Sequence, residues 1–120
     1  MRSLALLLYL VSTLALASEW YAVDGGIVEI NINQQELEDS LWKYLRKNEQ
    51  LVNVERERYS YQHQVKKESM LFINAFCEKS NRLELHRQWL QVLDGGVCYF
   101  SVWFNYKTGE FSGLNINGVA

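Results

Sequence analysis

The sequence contains no proline. It therefore holds no proline-rich linker, and nothing in it marks a boundary between two domains. Histidine occurs twice, as His63 and His86, and cysteine twice, as Cys77 and Cys98. Neither a His-x-His nor a Cys-x-x-Cys spacing exists, which argues against a metal centre. None of Ser60, Ser69, Ser80, Ser101 and Ser112 stands in a nucleophile-elbow context, so Ser-His-Asp chemistry has no visible carrier. Asp24-Gly25-Gly26 and Asp94-Gly95-Gly96 are glycine pairs that open no helix, so a phosphate-cradling loop is not expected and no cofactor is implied. Charge of one sign is not in large excess: 12 basic residues face 14 acidic ones, interspersed along the chain. Without a basic stripe, nucleic acid is not an expected partner.

A long apolar run is missing as well. The one apolar stretch, Leu4-Ala5-Leu6-Leu7-Leu8-Tyr9-Leu10-Val11, follows Arg2 and precedes Ala15-Leu16-Ala17. It is too short to serve as a membrane anchor. A basic head, an apolar stretch and a small-x-small site together read as a secretory signal. The expected organisation is a signal peptide over residues 1–17 and a single exported domain over 18–120, periplasmic or secreted. Loss of Arg2 takes the basic residues from 12 to 11 against 14 acidic, a net charge of −3.

What is present is aromatic and patterned. Four Trp, seven Tyr and five Phe favour an ordered core over disorder. Ser18 to Val23 reads as a short lead carrying Trp20 and Tyr21. Alternation over Ile27–Ile32 predicts a strand with Val28, Ile30 and Ile32 on one face. Asn33 then stands as an N-cap with Glu36 three residues on, and Ile32 and Leu37 flank them as a hydrophobic staple. Leu37, Leu41, Tyr44 and Leu45 share one helical face, and Glu36, Glu38 and Asp39 form a solvated acidic start. Val54–Lys66, Met70–Cys77, Val97–Tyr106 and Glu110–Asn117 alternate as strands, joined by turns at Lys66-Lys67-Glu68-Ser69 and Lys107-Thr108-Gly109. Between them, Leu83, Leu85, Trp89, Leu90 and Leu93 fit a helical stripe or a broken strand; a short strand ending at Asp94-Gly95-Gly96 is expected.

In an exported protein, a lone pair of cysteines is most simply a disulfide. A loop of about 22 residues closed by Cys77–Cys98 stabilises by roughly 3 kcal/mol. Bridging requires Cα atoms within about 7 Å. The strand ending at Cys77 should therefore lie antiparallel beside the strand starting at Cys98, with Glu78–Gly96 looping out. Alternation then puts Leu71, Ile73, Ala75, Cys77, Cys98, Phe100, Val102 and Phe104 on one face, where the helix packs. The fold class is α+β: one N-terminal amphipathic helix packed on a curved antiparallel sheet of four or five strands, with one disulfide.

This order of elements resembles the cystatin-like fold over most of residues 18–120. Cystatins carry a Gln-Val-Val-Ala-Gly type tip and a Pro-Trp loop; here the first tip is Lys66-Lys67-Glu68-Ser69, without proline. A closer resemblance is to small uncharacterised exported bacterial proteins. It rests on Ile73-Asn74-Ala75-Phe76-Cys77, on Trp89 ahead of Asp94-Gly95-Gly96-Val97-Cys98-Tyr99-Phe100, and on Asn117-Gly118-Val119-Ala120. It implies export and brings no activity.

The sheet face away from the helix carries Phe72, Asn74 and Phe76 beside Tyr99, Ser101 and Trp103. Either the looped-out segment, through Trp89 and Leu90, or Trp20 and Tyr21 cover this face, or it binds something. The expectation is a non-enzymatic binding module using Phe72, Phe76, Tyr99 and Trp103 toward a protein, a small apolar ligand or a second copy of itself. One alternative is a small hydrolase or isomerase with His63 or Tyr61 in a pocket between helix and sheet. The other, implied by the first resemblance, is a cystatin-like protease inhibitor.

Overall fold

The computed structural model describes residues 18–24, 30–78 and 84–118. The signal peptide expected over 1–17, the Ile27–Glu29 part of the expected first strand, Leu83 and the closing Val119-Ala120 lie outside them. The elements run β1 (Trp20–Ala22), α1 (Gln34–Leu45), β2 (Ser60–Lys67), β3 (Met70–Phe76), β4 (Tyr99–Asn105) and β5 (Glu110–Ile116). Among the described residues they form an α+β fold with one α-helix and a five-stranded sheet in the order β1-β2-β3-β4-β5.

Two expectations are corrected here. The helix is not the first element: the lead Trp20–Ala22 precedes it as a strand, and Ile30–Ile32 is not one. The sheet is mixed, because β1 pairs parallel with β2, Trp20 opposite Tyr61, while the other three pairings are antiparallel. The physical reason is that Trp20 has more to gain at that edge. Its ring stacks on Tyr61 at 4.2 Å, and its indole N–H donates to Glu38 at 3.1 Å. Ile30 and Ile32 instead pack half-buried against the core.

Helix α1 begins as its sequence requires, with Asn33 Oδ1 accepting the Glu36 N–H at 3.1 Å. Its inner face is Leu37, Leu41, Trp42 and Leu45, packed on Tyr59, Tyr61, Leu71, Ile73, Ala75, Phe100, Val102 and Phe104. Trp42 is a core residue that the leucine stripe left out. Its N–H donates to Tyr61 Oη at 2.6 Å, and it meets the Tyr59 and Phe100 rings at 5.2 and 6.0 Å. Tyr44 flanks this face and stacks on Phe111. Glu38 is not solvated: it is buried and accepts from Trp20 and, at 3.0 Å, from Arg56, which also binds the exposed Asp39. Burial of that carboxylate is tolerated because it is paired and hydrogen-bonded.

Cys77 and Cys98 are joined, with Cα atoms 5.0 Å apart. They sit just beyond the last β3–β4 pair, Phe76 opposite Tyr99, as a bridge between adjacent antiparallel strands requires. The two sulfurs nevertheless belong to different layers. Cys77 packs against the helix-side core, whereas Cys98 packs against a second cluster on the opposite face. A 3-10 turn over Gly96–Cys98 replaces the start of the expected strand and breaks its alternation, which rotates Cys98 off the helix side.

Candidate functional site

The outer face of β3 and β4 is built from register pairs. Phe76 lies opposite Tyr99, then Asn74 opposite Ser101, then Phe72 opposite Trp103. The looped-out segment crosses this face but does not cover it evenly. At the disulfide end, Phe76 and Tyr99 are buried with Tyr21 and Leu85, and Leu90 and Val92 pack alongside. At the other end Phe72 and Trp103 remain half-buried. Cover and exposure, the two alternatives open from the sequence, are thus both realised, at opposite ends of one surface.

The segment is held by side-chain amides. Gln62, fully buried on β2, donates from Nε2 to the carbonyls of Leu85 and Gln88 at 3.1 and 2.7 Å. Its Oε1 accepts from the Leu90 backbone at 2.8 Å and from Asn74 Nδ2 at 3.0 Å. Asn74 Nδ2 also donates to the Leu90 carbonyl at 3.0 Å. Further along, Asn117 Nδ2 donates to the carbonyls of Val92 and Asp94. Gly95 has φ of +104°, and a Cβ there would sit 2.7 Å from the Tyr99 ring, so this close approach requires glycine. Asn74, Cys77, Gly95, Cys98 and Asn117, which carried the second resemblance, therefore act together to fix this segment to the sheet.

No strand forms among residues 84–96, contrary to expectation. The backbone groups that a neighbouring strand would take are bonded by Gln62, Asn74 and Asn117 side chains instead. The segment consequently ends its crossing at Trp89, whose ring meets Phe72 edge-on at 5.2 Å and 80°. Phe72 and Trp103 are 4.9 Å apart and tilted by 58°. Together the three rings wall a cleft of about 290 Å³, completed by Leu90, Asn74 and Ser101, with Lys66 and Gln91 at its rim.

Of the residues singled out from sequence, Phe72 and Trp103 line the cleft. Phe76 and Tyr99 lie in the second buried cluster instead, where burial and the nearby Glu78 carboxylate push the Tyr99 hydroxyl up to about 12. Trp89, read from sequence only as cover, is a wall. Lys66 and Gln62 carried no signal, since a polar residue in an alternating strand looks solvated. Between helix and sheet, Tyr61 is fully buried and its hydroxyl is engaged by Trp42. Among the described residues no group of three or more His, Cys, Asp or Glu is placed to hold a metal ion, and no helix is long and apolar enough to cross a membrane.

His63 is half-buried beside the Trp20 ring, and its Nδ1 is buried without a hydrogen-bond partner. Burial, reinforced by the charge of His86, lowers its pKa from the ordinary 6.5. Below pH of about 6.5 the unfolded chain takes up a proton that the folded chain resists, so stability falls as the pH drops. Urea unfolding between pH 7 and 5 is expected to show this loss, bounded at about 1.4 kcal/mol per pH unit for one proton. His63→Phe should flatten the profile; an unchanged slope would assign the effect elsewhere.

No family model, curated protein or solved structure matches this chain.

Proposed function

We propose that this chain is an exported, non-enzymatic binding module that takes a small apolar ligand between Phe72, Trp89 and Trp103. The observation that carries the reading is the cleft itself: three half-buried rings left open at one end of a face that is sealed at the other. Binding sites commonly occupy about 300–1,000 Å³. At about 290 Å³ this one suits a body of one or two rings rather than a protein loop. Export is supported by the Arg2-to-Ala17 pattern and by the Cys77–Cys98 bridge, since structural disulfides persist in oxidising compartments.

A neutral fluorescent probe, N-phenyl-1-naphthylamine, tests the cleft. The disulfide-intact protein is expected to bind it saturably, with emission rising as the probe leaves water. Trp103→Ala and Trp89→Ala should each weaken it by about tenfold, the equivalent of one lost aromatic contact of roughly 1.4 kcal/mol. Both variants should keep the native far-UV spectrum, because neither ring belongs to the helix-side core. Absence of saturable binding, or affinities unchanged in both variants, would overturn the reading.

A further inference from the structure

The charge and hydrogen-bonding character of the cleft narrows its ligand beyond the proposed function, on which this step rests. Among the described residues eight line it, and not one is acidic, although acidic residues outnumber basic ones in the chain. Its single charge is Lys66, which is exposed at the rim with Nζ 5.1 Å from the centre of the Trp89 ring. Among the described residues the ion pairs belong to Arg56, with Glu38 and Asp39, and no carboxylate engages Lys66. An ammonium group resting on a ring contributes about 0.5–1 kcal/mol at an exposed site. It can accept an anion on its outer side without leaving the ring, because the ring and the anion approach different faces of the same cation.

The neutral polar groups add a second constraint. Both N–H groups of Asn74 are committed, to Gln62 Oε1 and to the Leu90 carbonyl, which leaves its Oδ1 as an acceptor. Ser101 supplies a hydroxyl on the same lining. The floor is therefore equipped to receive an N–H or O–H on a ring, while the rim favours negative charge. The ring geometry favours a flat body. Phe72 meets Trp89 edge-on and Trp103 at a tilt, so a further planar ring can lie on one face while touching the edge of another. An aliphatic body of equal size gains burial alone.

We infer that the ligand is a small planar aromatic acid, its ring held by Phe72, Trp89 and Trp103 and its carboxylate set against Lys66. Cations are disfavoured because Lys66 repels them and the lining offers no acid to pair with.

Three probes with one ring system and different charges test this: indole-3-acetate, indole-3-ethanol and tryptamine, each titrated calorimetrically and by displacement of N-phenyl-1-naphthylamine. The expected order of affinity is acetate, then ethanol, then tryptamine, with about two- to fivefold between the first two at low salt, as one exposed ion pair supplies. That ratio should shrink in 0.5 M NaCl, on the order expected where the screening length is only a few ångströms. In Lys66→Met it should fall to about one. Tryptamine binding as tightly as the acetate, or a ratio that survives Lys66→Met, would overturn the inference. So would failure of all three to displace a naphthylamine probe that itself binds, which leaves the cleft in place. Failure of that probe to bind removes the underlying reading as well.

Discussion

Serine at both Cys77 and Cys98 is expected to lower the unfolding free energy by about 3 kcal/mol, the chain-entropy value for a loop of roughly 22 residues. The effect acts mainly on the unfolded chain, which gains freedom when the loop is no longer closed. In the folded protein the looped-out segment keeps its other holds, through Gln62, Asn74 and Asn117. Far-UV and aromatic spectra of the C77S/C98S protein should therefore stay native below its transition. The urea midpoint should drop, and the slope of the transition should rise slightly as a less restricted chain exposes more surface. Wild-type protein unfolded under a reducing agent should follow the variant's curve. A loss below about 1 kcal/mol would mean that the reduced, unfolded chain keeps its two ends together without the bond.

Much of this fold was legible because its strongest signals are local. The helix announces itself by a cap, a staple and repeating leucines, and the structure begins it at Gln34 behind Asn33. Strands β3, β4 and β5 carry alternation that stands plainly in the sequence, and a marked turn joins the last two. The Cys77–Cys98 pair added the one long-range constraint, which placed β3 beside β4 and split their side chains into two faces. The features that sequence patterns did not reveal depend on partners remote in the chain. Strand β1 is three residues long and has meaning only against β2, some forty residues away, in a parallel pairing that no turn marks. Glu38 looks like an ordinary acid at a helix start until Trp20 and Arg56 close over it. The looped-out segment has strand-like composition, yet side-chain amides satisfy its backbone, and amides in an alternating strand give no sign that they face inward. For the same reason the cleft was only half visible: Phe72 and Trp103 follow from strand alternation, but the third wall, Trp89, is placed by Gln62.

Gln62 is accordingly the residue whose removal should be felt furthest from its own position. An amide side chain has two N–H donors and an oxygen with two lone pairs, and here all four capacities are used. Gln62→Ala leaves the carbonyls of Leu85 and Gln88, the Leu90 N–H and one Asn74 N–H without partners at a site with no exposure to water. Buried groups stranded in this way cost about 1–3 kcal/mol each, but the segment can lift and let water reach them, so the net loss is expected at about 2–4 kcal/mol. Gln62→Glu is the sharper variant. Its carboxylate can still accept from Leu90 and Asn74, while its other oxygen faces two carbonyls that need donors. At pH 7 it should destabilise at least as much as alanine, and it should recover part of the loss in acid, where the protonated carboxyl donates to one of those carbonyls. Denaturant midpoints at pH 7 and pH 5 read this directly, and hydrogen exchange at the Leu90 amide should accelerate in both variants. If the segment lifts, Trp89 leaves Phe72, so N-phenyl-1-naphthylamine should bind more weakly to Gln62→Ala even though Gln62 does not line the cleft. Full-strength probe binding in a destabilised Gln62→Ala protein would show that the third wall is held by something other than this amide.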